Sequence, residues 1–239
     1  MLYTLESPYY NIYENLALEE YLFQNNIDGI VLMLWQNRDC VVIGKHQYAW
    51  QECRIPWMEQ NGVLLARRST GGGAVFHDMH NLNYSFICQE ELYDASRQIA
   101  IVISALQSLG IKVQKSGRND LVTEDGYKIS GTAFRQRGSS CLHHGTLMVD
   151  VDIDKLEKSL SPSKEKLQAK GIKSIRSRVN NLKDYNANIT VEQIKKSLKA
   201  ALEDAYGEKS KELLLPPKEE YEKILKRQKD RDWNYGVRK

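Results

Sequence analysis

Cysteine is scarce in this chain and never clustered. The four cysteines, Cys40, Cys53, Cys88 and Cys141, form no C-x-x-C pair. That excludes a zinc ribbon and fits a reduced compartment, so a cytoplasmic protein is expected. Long apolar runs are missing too. No stretch approaches the roughly 18 residues of a membrane span. The N-terminal MLYTLESPYYNIYENLALEE has acidic residues and no basic, apolar leader, so no secretory signal is expected. The common phosphate loops are absent. Nothing matches G-x-x-x-x-G-K-[ST]. The glycines at 71, 72 and 73 do not continue as G-x-G-x-x-G, because Phe76 stands where the last glycine belongs. Excess charge is small. A net +3 is too weak to argue for nucleic acid. What remains, 41% hydrophobic and 27% charged residues, is a folded globular chain rather than a disordered one.

The stretch that stands out is ARRSTGGGAVFHD, Ala66 to Asp78. Three consecutive glycines lose much backbone entropy on folding. In return they give main chain without Cβ, able to take φ > 0 at Gly73 or its neighbours and to let a ligand touch the backbone. Amides in such a turn form an anion-binding concavity, and Arg67 and Arg68 place fixed charge beside it. The bland alternative is a tight hairpin with its arginines in solvent.

Periodicity predicts a helix over 15–24 with its apolar face at Ala17, Leu18, Tyr21 and Leu22. Strand-like runs follow at 30–35 and 40–44 around a turn, then at 63–66, 74–77 and 83–88. This half reads as a strand meander after one helix. A second helix spans 95–109, with Asp94 as N-cap and Gly110 just past its end. Further strands are expected in IKVQ, NDLVT, YKISGTAF and HHGTLMVD. Lysines crowd 155–170, which reads as a solvated face. Thr190 and Gln193 make a capping box for a helix over 191–206 ended by Gly207, and a last helix spans 218–229.

Lys128 follows the Asp125-Gly126 turn on an apolar strand. It is either a strand-end lysine that snorkels to water or a cation aimed into a cleft to meet phosphate oxygens. His143 and His144 are adjacent on a strand and point to opposite faces, so they do not share a metal, and one of them is structural. His77 with His80 makes a poor metal pair. Cys141 beside the histidines suggests a Cys–His nucleophile, without a third group to orient it.

Taken in order, RRSTGGGAVFHD, GRNDLV, KISGTAFR, HHGTLMVD and KGIKSIRSRVNNL resemble the lipoate–protein ligase A family, over nearly the whole chain from NLALEE to WNYG. The resemblance implies an α/β (α+β) fold: a mixed, largely antiparallel sheet flanked by helices, shared with biotin ligases and related to class II aminoacyl-tRNA synthetases. It implies one catalytic domain over 1–239, with a motif core at 1–185 and a helical part at 186–239. It implies ATP-dependent activation of lipoate to lipoyl-AMP, then transfer to a lysine of a lipoyl domain. The acceptors would be the E2 of 2-oxoacid dehydrogenases and the glycine-cleavage H protein, with neither nucleic acid nor membrane as a partner. Arg68, Gly73, Ala74, Val75 and Phe76 would bind nucleotide. Lys128 would be the catalytic residue, touching both the AMP phosphate and the lipoyl carboxyl. Ser69, Arg135 and His144 would lie toward lipoate. Mg²⁺ would be held by the phosphates, with Asp120 as the protein candidate.

Many relatives continue past WNYG into an accessory domain. This chain stops at Lys239, so a small accessory ligase subunit is expected for the activation step. The rival readings are a cysteine-dependent octanoyl or lipoyl transferase and a non-catalytic lipoate-binding subunit. A biotin ligase is disfavoured because its usual GRGR-type loop is absent.

Overall fold

The computed structural model describes residues 1–25, 27–161 and 178–236. Most of the lysine-rich run and most of KGIKSIRSRVNNL therefore lie outside the described residues. A large sheet of eight strands is the backbone of the fold. Its strands are β1 (Leu2–Glu6), β2 (Ile30–Trp35), β6 (Asn81–Gln89), β7 (Val113–Ser116), β8 (Asp120–Thr123), β9 (Lys128–Arg137), β10 (Ser140–Met148) and β11 (Lys211–Glu212). They lie in the order β11-β1-β2-β6-β10-β9-β8-β7. Only the β11–β1 and β1–β2 pairs run parallel; the others are antiparallel. The mixed, largely antiparallel sheet is thus as expected.

Helices cover both faces of that sheet. On one side, α4 (Ala95–Ser108) and α6 (Val191–Tyr206) enclose a core with Leu106, Leu198 and Leu202 against Leu32, Tyr84 and Phe86. On the other, α1 (Ile12–Gln24) and α7 (Lys218–Lys229) pack with Leu18, Phe23 and Tyr221 against Val31 and Met33. The caps behave as their residues dictate. The Asp94 side chain accepts from Arg97 N. Thr190 and Gln193 form the reciprocal capping box, and Gly207 ends α6 in the left-handed conformation at φ 64°.

The meander expected for the first half is not formed. β3 (Cys40–Ile43) leaves the large sheet and joins β4 (Leu64–Arg67) and β5 (Val75–His77) in a separate three-stranded sheet, order β4-β3-β5. β3 and β4 run parallel, so the chain must cross over between them. The crossover is made by α2 (Ala49–Glu52) and α3 (Ile55–Gln60). Both helices are too short to show a helical period. The break between β2 and β3 is fixed by Asn37, fully buried and hydrogen-bonded to Asn15 and His77. A third core, with Ile43, Met58, Leu65 and Phe76, joins this sheet to α5 (Ile153–Ser159). Among the described residues, no helix is long and apolar enough to cross a membrane.

Candidate active site

A cavity of about 1020 Å³ opens between the small sheet and the β8–β9–β10 side of the large one. One wall is the glycine loop. The loop is held from behind by Arg68, whose burial lowers its pKa to about 10, an effect partly offset by Glu19. Arg68 stays charged at neutral pH. Its Nε donates to Thr70 Oγ1 at 2.9 Å and its Nη1 to Val42 O at 3.1 Å. Its Nη2 donates to Gly71 O at 2.6 Å and Gly73 O at 2.8 Å. A trans peptide points its C=O and the following N–H in opposite directions. Drawing the Gly71 and Gly73 carbonyls toward Arg68 therefore turns the Gly72 and Ala74 amides away from it. Among the described residues, the amides of Gly71, Gly72 and Gly73 donate to no protein acceptor. Uncommitted amides backed by a fixed cation suit an anion.

The strained position is not Gly73. Gly72 alone of the three takes a positive φ, 95°, and a Cβ on Gly71 or Gly73 would meet nothing within 4 Å. The close approach comes from Gly44, at the end of β3. A Cβ there would lie 2.3 Å from Gly72 O.

The opposite wall carries Lys128. Its Nζ lies 2.7 Å from Asp120 Oδ1, and Arg178 pairs with the other oxygen of the same carboxylate. Gly131 makes room for this lysine, since a Cβ there would sit 2.9 Å from Nζ. The Lys128 carbonyl accepts from Asn180 N at 3.2 Å, which anchors the segment carrying Arg178 to β9. Two cations thus share one carboxylate in the cavity wall, an arrangement that a phosphate or carboxylate can enter by replacing Asp120. Asp120 was the protein candidate for Mg²⁺, but both its oxygens are taken by these cations. Among the described residues, no group of three His, Cys, Asp or Glu side chains is placed to hold a metal.

Of the expected residues, Arg68, Gly73, Ala74, Val75, Phe76, Lys128 and His144 line the cavity. Ser69 and Arg135 do not. Arg135 Nη1 pairs with Glu20 at 2.5 Å, and its guanidinium stacks over Phe23 on the α1 side. Arg67 is also turned away. It donates to the carbonyls of Gly44, Lys45, Gln47, Trp233 and Asn234. It therefore fastens α8 (Arg231–Tyr235) beneath the loop instead of offering its charge to a ligand.

The two histidines do part company. His143 stacks on Phe134 at 4.4 Å, and its Nδ1 lies 3.0 Å from Gln98 Oε1. His144 faces the cavity side. Its Nε2 meets Thr70 Oγ1 at 2.9 Å and its Nδ1 meets Glu19 Oε1 at 2.9 Å. Burial pushes the Glu19 carboxyl up, but His144, Ser85 and Arg68 together outweigh that, and its pKa is lowered. Glu19 escaped the sequence reading, although it falls at i+7 from Ile12 on the buried face of α1.

None of the four cysteines lines the cavity. Burial raises every thiol, Cys53 and Cys88 to about 12. A thiol so shifted is inert at neutral pH.

Residues 11–203 match the lipoyl protein ligase A/B catalytic domain. The chain belongs to that family. It is 44% identical to the lipoate-protein ligase A of Blochmanniella pennsylvanica over 97% of its own length and 71% of that protein's. Among solved structures it superposes on P. falciparum LipL1 in complex with lipoate, with TM-score 0.88 and 31% identity. That match covers all of this chain and 75% of the other. It also superposes on a chain from a Thermoplasma acidophilum structure described as a bi-partite lipoate protein ligase and its E2 lipoyl domain. There the TM-score is 0.83 and the identity 28%, over 99% of this chain and 97% of the other. The matched residues include all those that line the cavity, from Leu16 to Val179.

Proposed function

We propose that this chain is a lipoate–protein ligase in which the cavity brings two anions together, the lipoate carboxylate and the α-phosphate of ATP. One observation carries the reading. A single cavity has Arg68, Lys128 and uncommitted loop amides in its walls, together with an apolar slot bordered by Leu16, Trp35, Val42 and Val75. The charged part suits phosphates and a carboxylate, and the slot suits an alkyl chain. In the first step a carboxylate oxygen attacks the α-phosphate, lipoyl-AMP forms and pyrophosphate leaves. Two like charges must converge, so the work is alignment and charge neutralisation. Lys128, freed from Asp120 by the incoming anion, spans the phosphate and the carboxyl. Mg²⁺, carried in with the nucleotide, would supply further charge neutralisation. The described residues fit a metal carried in by the nucleotide, with Asp120 already paired. In the second step a neutral acceptor lysine attacks the acyl carbon and AMP leaves.

The acceptors are lipoyl domains, those of 2-oxoacid dehydrogenase E2 and glycine-cleavage H protein, and the whole of 1–239 acts as one cytoplasmic catalytic unit. A small accessory polypeptide assists activation, a reading supported by the match to nearly the full length of an archaeal chain described as bi-partite. The transferase alternative needs a reactive thiol in the cavity, and the four buried cysteines offer none.

The test is incubation with ATP, Mg²⁺ and lipoate, with detection of lipoyl-AMP, followed by transfer of supplied lipoyl-AMP to a lipoyl domain. Lys128→Ala should slow both steps by roughly 10²–10³ while the fold survives. A mutant with wild-type rates removes Lys128 from the mechanism. A wild-type chain that binds lipoate yet performs neither step is a binding subunit.

A further inference from the structure

Among the buried polar atoms of the cavity residues without a hydrogen-bond partner among the described residues are His77 Nε2, whose ring lies 6.1 Å from that of Trp35, and Asn81 Oδ1. Both side chains line the cavity, at 2% and 1% exposure. Backbone carbonyls fix how each is oriented. Asn15 Nδ2 shares its two hydrogens among three acceptors, Tyr9 O, Gln36 O and the Asn37 side chain at 2.8 Å; the two carbonyls mark the atom as the amide nitrogen, so the Asn37 atom facing it is Oδ1. The Asn37 atom 2.9 Å from His77 Nδ1 is then the amide nitrogen, a donor. His77 Nδ1 must accept, so the ring proton sits on Nε2. Burial, followed by Arg68 and His144, pushes this imidazole down to about 3, so it is neutral at physiological pH. On the other side, Asn83 Nδ2 donates to Trp35 O at 3.2 Å, and Asn83 Oδ1 accepts from Asn81 Nδ2 at 3.1 Å. That leaves Asn81 Oδ1 as an acceptor. The pair is one buried donor and one buried acceptor in a wall that also carries the apolar Trp35, Val42 and Val75.

Lipoate must place its carboxylate by Lys128 to react, so its tail runs into this slot. A plain hydrocarbon tail satisfies neither polar atom. A tail carrying sulfur offers the Nε2–H an acceptor. We propose that His77 selects a sulfur-bearing acyl tail over a hydrocarbon one, its Nε2–H donating to a dithiolane sulfur beside Trp35. This rests on the lipoate reading above. Sulfur is a weak acceptor, so the discrimination is modest and falls on binding rather than on the chemical step. Sites that hydrogen-bond their substrate reject the analogue lacking that group, because the protein partner is left unpaired.

The experiment measures binding to the full chain by calorimetry. The ligands are lipoate, octanoate and the carbocyclic isostere of lipoate with both ring sulfurs replaced by CH₂. Wild type should bind lipoate about tenfold tighter than the isostere, a contrast that holds ring shape constant. His77→Leu should erase that preference by weakening lipoate alone, and His77→Gln, which keeps a donor, should restore part of it. Should His77→Leu not fold, the wild-type pair of ligands decides by itself. Equal affinity of wild type for lipoate and isostere, as when a bound water satisfies His77, overturns the assignment. Failure of wild type to bind any of the three overturns the ligase reading instead.

Discussion

The glycine run shows how unevenly residues of one type carry a site. Gly72 needs its positive φ, and Gly44, far off in sequence, needs its bare Cα against the Gly72 carbonyl. Gly71→Ala is open on both counts. We expect Gly44→Ala to displace the loop and weaken nucleotide binding about tenfold or more, because a Cβ contact at 2.3 Å is with backbone that cannot yield cheaply. Gly71→Ala should leave binding within about twofold. Calorimetric titration of both variants with ATP checks this, and equal affinities would show that the loop is not held by that contact. That Lys128 and the loop belong in a cavity wall was legible because glycines and a lysine on an apolar strand are locally anomalous. Glu19, Thr70 and His77 were not, since each gains its role from partners distant in sequence.

Elements differ in the same way. α6 was legible to the residue, since a capping box, a 3.6 period and a terminal glycine all agree. α2 and α3 were illegible because 4 and 6 residues carry no period. That β2 and β3 join different sheets could not be read from either strand, because pairing partners lie elsewhere in the chain. Much of the fastening of α8 runs through one side chain. Arg67 donates to five carbonyls across two segments, and Asn234 Oδ1 accepts from Arg67 N at 2.8 Å. Lysine has three donors and no planar fork. Arg67→Lys should therefore cost about 3 kcal/mol, from carbonyls left buried and unpaired. The expected fall in melting temperature is roughly 10 °C for a chain of this size. Scanning calorimetry measures it, and an unchanged Tm would mean that α8 is fastened by its other contacts.

At the scale of the molecule, the buried histidines set a pH limit. Burial first, and nearby cations second, hold His77 and His143 down to about 3 from the ordinary 6.5. Below 6.5 the unfolded chain takes up these protons and the folded one does not, so stability falls as pH drops from there toward 3. Each ring should account for about 2 kcal/mol by pH 5. Glu19, lowered in the fold, adds a further loss only as pH passes below the ordinary carboxylate range. Urea titrations from pH 7.5 to 4.5 should show the decline starting near 6.5, and His143→Phe should lose part of it. A flat profile above pH 5 would mean that the rings are protonated in the native state.

The Arg67 clamp also orders events in time. A ribosome delivers β4 and the glycine loop long before residues 231–235. Until those emerge, Arg67 lacks the Trp233 and Asn234 carbonyls, and the loop lies on an unfinished floor. The nascent chain can therefore build most of its large sheet while it is still tethered. It completes the floor beneath its glycine loop only once residues 231–235 have emerged.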